Sequence, residues 1–197
     1  MIVKSDVSQN AQCAKSAIRR TLTALRNGKS SRWIAESSAD VCQKLASLPE
    51  FSVAESVALF VSKAKEVQTR SLLEGLLEEG SREVCVPAYD EERTCYRFCR
   101  VSRETTWIEG PYGVSQPDTP EWAQTASLDV ITVPCVGFDR QGRRLGHGGG
   151  YYDRLLAGYG GCRLGLAFSF QEVESIPETE HDQRLKLIVT ERGVHRC

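Results

Sequence analysis

Residues 134–156 hold the amino acids whose types and spacing are best suited to chemistry. Two arginines, Arg143 and Arg144, stand just before the glycine-rich stretch 146–150 (GHGGG), and the stretch 151–153 (YYD) follows it directly. Glycines let a backbone pass close to a ligand, and successive N–H groups in a loop that enters a helix can bind an anion. The arginines suggest phosphate, while the tyrosines could contact a ring and the aspartate could bind a metal ion. We therefore interpret the segment as an active-site loop.

The glycine stretch matches neither of the two common nucleotide-binding fingerprints. The third position after Gly148 is Tyr151 rather than glycine, so the G-x-G-x-x-G pattern is absent, and the G-K-S/T of a P-loop is absent too. Glycines alone would more often form a tight turn than a phosphate site. The charged and aromatic residues beside them favour the phosphate site.

A second candidate is Glu66, which follows an apolar run at 56–62 and precedes a predicted helix. A carboxylate at that point could accept hydrogen bonds from the amide or ring nitrogens of a substrate. The alternative is a solvated side chain beside Lys63 and Lys65, because charged loop residues usually face water. Taken without other knowledge, the residues favour this alternative.

Two cations and two histidines complete the set of candidates. Lys15 and Arg19 are four residues apart and share a helix face, so they form either a clamp for phosphates or an ordinary solvated basic face. His147 is expected to contact phosphate or solvent rather than to act as an acid or base. His181 precedes Asp182, which could help to hold a metal ion, although one histidine beside one aspartate is a weak indication of a metal site.

Length and composition indicate a single globular domain over residues 1–197. The 197 residues are 41% hydrophobic and 26% charged, and the net charge of −1 provides no overall field for nucleic acid or an anionic membrane. No apolar run approaches the ~18 residues of a membrane span. The first residues lack the apolar core of a signal peptide and the arginines of an import signal. We expect a cytoplasmic monomer without nucleic-acid or membrane partners.

The eight cysteines give no sign of a zinc site or a redox motif. None of them forms a C-x-x-C pair, and Cys95 and Cys99 have no His or Cys partners at zinc spacing. We predict reduced thiols that are mostly buried, because free cysteine is commonly a core residue. A catalytic cysteine and a structural disulfide are the alternatives.

Hydrophobic periodicity predicts helices that alternate with strands. The predicted helices are 11–26, one from Ser30 or Ser31 to near Pro49, 69–79 with Gly80 as its C-cap, and 151–157. The predicted strands are 56–62, 83–87, 96–101, 128–134, 163–168 and 185–190. Residues 102–127 contain three prolines and little periodicity, so we predict a covering loop there.

This alternation predicts a parallel sheet. The strand, helix and strand between residues 56 and 87 form a β-α-β unit, and the continuous apolar run at 128–134 is typical of a strand covered on both faces. The predicted fold class is α/β, a three-layer α/β/α sandwich with a mostly parallel central sheet, Rossmann-like. In such sheets the ligand binds beyond the carboxyl ends of the strands, which is where Glu66 and the glycine loop both lie.

The assembled motifs resemble those of the 5-formyltetrahydrofolate cyclo-ligase (5,10-methenyltetrahydrofolate synthetase) family. The strongest similarity is at 134–156, where the family has P-G-x-(A/G)-F-D-x-x-G-x-R-L-G-x-G-x-G-(Y/F)-Y-D. The other matching segments lie in family order over nearly the whole chain: Lys15-x-x-x-Arg19, 56–73 (SVALFVSKAKEVQTRSLL) with Glu66, 112–117 (YGVSQP), 166–168 (LAF) and His181-Asp182.

The resemblance implies a reaction and its cofactors. Family members use ATP and Mg²⁺ to convert 5-formyltetrahydrofolate into 5,10-methenyltetrahydrofolate, ADP and phosphate, through an imidate phosphate. They are ligases of one-carbon metabolism that form a C–N bond. A formamide oxygen is a poor leaving group, and phosphorylation makes it a good one. Such phosphoryl transfer requires positioning and charge neutralisation more than covalent chemistry by the protein.

The resemblance also implies roles for individual residues. The catalytic residues would be Arg144, Glu66 and Tyr152. Glu66 would bind the pterin side of the folate, in a substrate pocket lined by Phe60, Glu66, Tyr112 and Tyr152. Mg²⁺ would be held by Asp153, with Asp182. ATP would be bound by Lys15, Arg19, Arg144, Leu145, Gly146, His147, Gly148, Gly149, Gly150, Tyr151, Tyr152 and Asp153.

Three positions depart from the family pattern. Ala88 stands where many relatives carry arginine, and Lys63 and Lys65 flank Glu66 where relatives often have uncharged or acidic residues. The lysines could depress the pKa of Glu66 or pair with a folate glutamate tail. Two alternatives to the cyclo-ligase follow: an ATP-dependent enzyme of the same fold that acts on another N-formyl or pterin compound, and a module that binds folate or nucleotide without turnover.

Overall fold

The computed structural model describes the backbone of residues 3–197 and the side chains from residue 9 onward. The helices are α1 (Val3–Asn27), α2 (Ser31–Ala46), α3 (Pro49–Ser52), α4 (Arg70–Glu79) and α5 (Tyr151–Leu155). The strands of the central sheet are β1 (Ser56–Ala58), β2 (Glu83–Asp90), β3 (Cys95–Arg100), β6 (Glu121–Trp122), β7 (Val130–Pro134), β10 (Cys162–Leu166), β11 (Leu187–Thr190) and β12 (Gly193–Arg196). Two small hairpins pair β4 (Trp107–Glu109) with β5 (Ser115–Pro117), and β8 (Gly137–Phe138) with β9 (Arg144–Leu145).

The central sheet has the spatial order β12-β11-β10-β7-β1-β2-β3-β6. Its five inner strands, from β11 to β2, are parallel, and antiparallel strands form both edges. The chain places β2 on one side of β1 and then β7, β10 and β11 on the other. The order therefore reverses beside β1, and such a switch point leaves a crevice beyond the carboxyl ends of β1 and β7.

Apolar side chains cover the sheet on both faces. One core cluster packs α2 and α4 against the sheet through residues such as Leu45 and Leu76. The other packs Leu155, Leu156 and nearby loop residues against the opposite face. Neighbouring residues of one strand enter different clusters, because successive side chains of a strand point to opposite faces. The predicted three-layer α/β sandwich and its β-α-β unit are confirmed.

The caps of two helices follow the sequence. Ser30 is the N-cap of α2, and its hydroxyl accepts a hydrogen bond from the backbone N–H of Trp33 at 3.1 Å. Gly80 ends α4 in the left-handed conformation, with φ of 65°. Both boundaries were therefore set by residue types that relieve the unpaired backbone groups of a helix end.

Some element boundaries differ from the prediction. The predicted strand 56–62 leaves the sheet after β1, because Thr132 and Thr69 capture the backbone of Phe60 through their hydroxyls at 3.2 and 2.6 Å. Residues 102–127 were predicted as a loop, but they hold the β4–β5 hairpin and β6, which pairs with β3. These strands have only two or three residues, which are too few for an alternation of apolar and polar side chains to be recognised in the sequence.

All eight cysteines are free, as predicted, but only three of them are buried. Cys85, Cys99 and Cys135 are buried, Cys13 and Cys197 are exposed, and the other three are half-buried. Burial raises the pKa of the Cys85 and Cys99 thiols to about 12, which keeps them protonated near neutral pH. In the described part of the chain, no helix is both long and apolar enough to span a membrane.

The turn between β8 and β9 is organised by a fully buried carboxylate, that of Asp139. Its Oδ1 accepts hydrogen bonds from the backbone N–H groups of Gln141 and Arg143 at 2.9 and 3.2 Å. Its Oδ2 accepts from Nε of Arg143 at 2.6 Å and from the N–H of Ile176 at 2.9 Å. The carboxylate thus ties the strand before the glycine loop to a distant segment.

We expect Asp139→Ala to lower the free energy of unfolding by about 3 kcal/mol, because it leaves the Arg143 guanidinium without its buried partner. The matched control is Arg140→Ala in the same turn. Arg140 pairs with Glu172 while largely exposed, so its loss should cost less than about 1 kcal/mol. Urea unfolding of both variants measures the difference. Equal losses would show that the Asp139 hydrogen bonds do not hold the turn.

Candidate active site

A cavity of about 520 Å³ opens beyond the carboxyl ends of β1 and β7. Helix α1, the segment after β1, the glycine loop and the end of the β4–β5 hairpin surround it. Every residue to which the family resemblance assigns a role lines this one cavity: Lys15, Arg19, Phe60, Glu66, Tyr112, Arg144, Leu145, Gly146, His147, Gly148, Gly149, Gly150, Tyr151, Tyr152, Asp153 and Asp182. The switch point of the sheet therefore assembles residues that are far apart in the sequence.

The glycine loop presents free backbone donors to the cavity. None of the N–H groups of residues 146–150 donates a hydrogen bond to another described residue. Gly148 and Gly150 have φ of 103° and 64°, which side-chain-bearing residues rarely adopt. The loop conformation thus requires glycine at these two positions, and it leaves several N–H groups available to an anion.

Three cations surround the loop, and each has a partner within the site. Lys15 is buried on α1 and donates from Nζ to Oδ2 of Asp182. Arg19, one turn further along, donates from Nε to the carbonyl oxygen of Gly146 at 2.8 Å. Arg144 donates from Nη2 to Oδ1 of Asp153 at 2.8 Å. The predicted helix face of Lys15 and Arg19 therefore faces the cavity rather than water.

Only one of the two adjacent arginines belongs to the site. Arg143 pairs with buried Asp139 and does not line the cavity, whereas Arg144 does. The expectation that both arginines adjoin a phosphate is wrong for Arg143, because the turn carboxylate captures its side chain. Arg144 is nine-tenths buried, and its Nε has no hydrogen-bond partner among the described residues. That group is available to a ligand.

Two aspartates could bind a cation in this cavity. Oδ1 of Asp153 accepts from Arg144 and from the N–H of Gln183, and Oδ2 of Asp182 accepts from Lys15 and from the N–H of Thr179. Burial raises the pKa of Asp182, but its hydrogen bonds with Lys15 and Thr179 outweigh burial and hold it below the ordinary value. In the described part of the chain, no three His, Cys, Asp or Glu side chains form a metal cluster.

Glu66 is a buried and ionised carboxylate that lines the cavity. Its Oε1 lies 2.9 Å from Nε2 of His147, and its Oε2 accepts from the backbone N–H of Lys63 at 2.9 Å. Burial raises the pKa of Glu66, but the hydrogen bonds with His147 and Lys63 outweigh it and hold the pKa below its usual value. The expectation that Glu66 is a solvated loop residue is therefore wrong.

Tyr152 brings an unpaired hydroxyl into the same space. Its OH is buried and has no hydrogen-bond partner among the described residues. Its ring centroid lies 5.7 Å from the guanidinium carbon of Arg144. Burial raises the pKa of Tyr152, so the phenol stays protonated and can donate to a ligand.

An aromatic wall leads from the cavity to its mouth. The rings of Tyr96 and Tyr151 are 5.0 Å apart, those of Tyr151 and Tyr112 are 5.7 Å apart, and the last two share a hydrogen bond between hydroxyls. Sequence reasoning missed Tyr96, which lines the cavity from β3. The alternation of apolar and polar residues in β3 indicated that Tyr96 lies on a half-exposed strand. It did not indicate that the ring packs against Tyr151.

The departures from the family pattern occupy different environments. Ala88 is fully buried in β2 and does not line the cavity. Lys65 points to the turn between α1 and α2, where its Nζ donates to the carbonyl oxygen of Lys29 at 2.7 Å. Lys63 lines the cavity, and its Nζ lies 5.7 Å from the centroid of the Tyr112 ring.

Comparison with known proteins gives a consistent result. Residues 11–191 match the model of the 5-formyltetrahydrofolate cyclo-ligase family. The chain is 33% identical to the 5-formyltetrahydrofolate cyclo-ligase of Haemophilus influenzae over 170 residues, which cover 83% of this chain and 86% of that protein. The solution structure of Aquifex aeolicus 5,10-methenyltetrahydrofolate synthetase is similar with a TM-score of 0.83 and 34% identity, over 92% of both chains. A Mycoplasma pneumoniae 5,10-methenyltetrahydrofolate synthetase, at 22% identity and a TM-score of 0.70, shares the fold.

We expect the pKa of Glu66 to rise in His147→Ala, because burial is then opposed mainly by one backbone hydrogen bond. In the native protein the lowered pKa means that Glu66 stabilises the fold above about pH 4.3, its ordinary value, and that this stabilisation is lost as the pH falls through the lower folded value. A carboxyl carbon NMR titration measures the pKa, with Glu66→Gln assigning the signal. His181→Ala, an exposed histidine outside the cavity, is the control. An unchanged pKa in His147→Ala would contradict the pairing.

Proposed function

Because the chain belongs to the 5-formyltetrahydrofolate cyclo-ligase family, we propose that it uses ATP to convert 5-formyltetrahydrofolate into 5,10-methenyltetrahydrofolate, ADP and phosphate. The observation that carries the proposal is that one cavity joins two chemically different ends. One end has the glycine loop with its free N–H groups and three cations, and the other has an ionised, buried Glu66 among aromatic rings. No relative reported above favours the alternative substrate or a non-catalytic module.

The phosphate end is formed by α1 and the glycine loop. We assign the ATP phosphates to Lys15, Arg19, Arg144 and the backbone of residues 146–150, with the stretch 151–153 adjoining them. Helix α5 has only five residues, so the loop N–H groups and the cations supply most of the attraction. The carboxylates that now pair with Lys15 and Arg144 must give up part of those contacts when phosphate binds.

The two aspartates of this end fit Mg²⁺ that arrives with ATP. A nucleotide-bound Mg²⁺ is usually held through one or two carboxylates together with phosphate oxygens and water, and a protein cage is not needed. Asp153 and Asp182 each engage one oxygen in the contacts described above, which leaves a second oxygen for the ion. When bound, Mg²⁺ neutralises phosphate charge. Asp153 and Asp182 would hold it next to the glycine loop.

The folate end is formed by Glu66, Phe60, Tyr112 and Tyr152. An ionised carboxylate accepts two N–H donors, and a pterin ring offers such donors side by side on its amide and amino nitrogens. His147 occupies one oxygen of Glu66, so a pterin that engages both oxygens must displace it. Phe60 is buried next to these groups, and the unpaired Tyr152 hydroxyl can donate to the formyl or the ring.

These positions account for the order of bond changes. The formyl oxygen attacks the γ-phosphorus of ATP, an O–P bond forms, and the bond from that phosphorus to the β,γ-bridging oxygen breaks to release ADP. N10 then attacks the formyl carbon and loses its proton, and the C–O bond breaks as phosphate leaves. Arg144 lies between the two ends, where it can neutralise the charge on the transferring phosphoryl group.

We further propose that the chain works as a single cyclo-ligase domain, as a monomer and in the cytoplasm. The net charge of −1 supports the absence of nucleic-acid partners. Nothing in the reaction requires a second subunit, because one chain supplies both ends of the cavity.

Mixing the protein with 5-formyltetrahydrofolate, Mg²⁺ and ATP should produce the absorbance band of methenyltetrahydrofolate, because ring closure extends the conjugation. The rise should require ATP and be abolished by a chelator.

Arg144→Lys keeps the charge but loses the planar fork of the guanidinium group. We therefore expect kcat to fall about 10²-fold, comparable to the loss of one oriented transition-state donor. Glu66→Gln and Asp153→Asn should also lower turnover. Full turnover in both would show that the site assignment is wrong.

Lys15→Ala should raise the KM for ATP and leave the KM for folate unchanged, because Lys15 lies at the phosphate end. Arg20→Ala is the matched control, since Arg20 is on the same helix but exposed and outside the cavity. Steady-state rates with each substrate varied in turn separate the two constants. An effect confined to folate would contradict the role assigned to Lys15.

A further inference from the structure

Helix α1 carries a buried arginine that does not line the cavity. Its inward face consists of residues spaced by four, three and four positions, which share one side of a helix: Lys15, Arg19, Leu22 and Arg26. Lys15, Leu22 and Arg26 are buried, so this face packs against the rest of the protein. Lys15 and Arg19 line the cavity and Arg26 does not. Arg26 thus extends the basic face of α1 beyond the cavity, into the protein interior.

The guanidinium of Arg26 has donors without partners. The residue is only 8% exposed, and its Nε and Nη1 are buried with no hydrogen-bond partner among the described residues. Burial of a charge that lacks a partner is costly, so packing alone does not account for an arginine at this position. An attraction to a nearby negative charge would offset that cost.

The segment that carries Glu66 lies against the end of α1, where Arg26 occupies the last turn. Nζ of Lys65 donates to the carbonyl oxygen of Lys29 at 2.7 Å, and the N–H of Lys29 donates to the carbonyl oxygen of Arg26 at 3.1 Å. These two hydrogen bonds connect the neighbour of Glu66 to Arg26. The carboxylate of Glu66 and the guanidinium of Arg26 are both buried beside this connection.

The charge of Arg26 differs from the other influences on Glu66 in that a ligand does not remove it. Burial raises the pKa of Glu66, the hydrogen bonds with His147 and with the N–H of Lys63 lower it, and the positive charge of Arg26 lowers it further. His147 is half-exposed on the glycine loop, and a pterin that engages both oxygens of Glu66 displaces it. Arg26 lies outside the cavity and is not displaced.

The other titratable groups around Glu66 do not provide such a charge. Burial raises the pKa of Cys135 to about 12 and raises that of Tyr152 as well, and the negative charge of Glu66 adds to both shifts. Both groups are therefore neutral near neutral pH. The nearby cations already contact a carboxylate, a backbone carbonyl or an aromatic ring: Lys15, Arg19, Lys63, Lys65 and Arg144.

We propose that Arg26 is a positioning residue for the folate end of the cavity, where its buried charge keeps Glu66 ionised when the pterin displaces His147. This inference rests on the proposed function. An ionised Glu66 accepts two N–H donors, whereas a protonated carboxyl has a donor of its own and opposes one of them. Arg26 touches no substrate, because it does not line the cavity, and its effect on folate binding passes through Glu66.

Three variants separate the charge of Arg26 from its packing. Arg26→Met keeps an apolar stem and removes the charge, while Arg26→Lys keeps the charge. Arg20→Met is the matched control, because Arg20 is on the same helix but exposed and outside the cavity. We expect Arg26→Met to fold, since Glu66 retains its hydrogen bonds with His147 and Lys63.

The first readout is a carboxyl carbon NMR titration of Glu66, which requires no ligand. We expect the pKa of Glu66 to rise in Arg26→Met, because a nearby positive charge is lost. His147→Ala imitates the displaced histidine, and adding Arg26→Met to it should raise the pKa above that of His147→Ala alone. Arg26→Lys and Arg20→Met should leave the native value unchanged.

The second readout is the affinity for 5-formyltetrahydrofolate, measured by calorimetry without ATP over a series of pH values. Arg26→Met should weaken binding about two- to fivefold at the acid end of the series, the effect of one screened charge, and have little effect at neutral pH. Arg26→Lys should restore the native pH profile. The KM for ATP should not change.

Other outcomes would overturn the proposal. Failure of Arg26→Met to fold, or weaker binding by the same factor at every pH with an unchanged Glu66 pKa, would make Arg26 a structural residue. A loss that Arg26→Lys does not restore would show that the positive charge is not what matters. If the native protein does not bind the folate, the proposed function fails. The titration with and without His147 then decides by itself whether Arg26 keeps Glu66 ionised.

Discussion

The reversal of strand order beside β1 is the constraint on which the site depends. Because β2 lies on one side of β1 and β7 on the other, the segments that leave β1 and β7 at the carboxyl end of the sheet run to opposite faces, and a crevice remains between them. Glu66 follows β1, and the glycine loop follows β7 and the β8–β9 hairpin. Helix α1 then closes the remaining side with Lys15 and Arg19. Each chemical group of the cavity is positioned by a different element.

Charge compensation is the second requirement, because the cavity collects cations and carboxylates at close quarters. An unpaired charge away from water is costly, and the protein avoids that cost by pairing Lys15 with Asp182, Arg144 with Asp153, and Glu66 with His147. A charged ligand that takes one member of such a pair must provide an equivalent partner for the other member.

The sequence predicted the arrangement of the sheet better than it predicted where the individual strands begin and end. A hydrophobic period of 3.6 residues predicted helices α2 and α4, and a continuous apolar run predicted the buried strand β7. These predictions were correct because each pattern reflects the burial of residues along a single element. The short strands β4, β5, β6, β8, β9 and β12 were missed, and β1 was predicted too long. In these cases the decisive contacts come from other segments, such as the Thr132 and Thr69 hydroxyls on Phe60. The candidate residues were found from motif and resemblance, and the structure brings them to one cavity.

The sequence by itself determined which chemical groups are present, their order, and the helix and strand periods that place them at the ends of elements. Only the tertiary structure decided which partner each group takes. Arg143 pairs with Asp139, while adjacent Arg144 faces the cavity. Lys63 lines the cavity, while Lys65 donates to the turn between α1 and α2. Lys15 meets Asp182 across 167 positions of sequence. The physical reason is that propensity and periodicity act over a few residues, whereas pairing depends on strand order and on the packing that brings distant segments together.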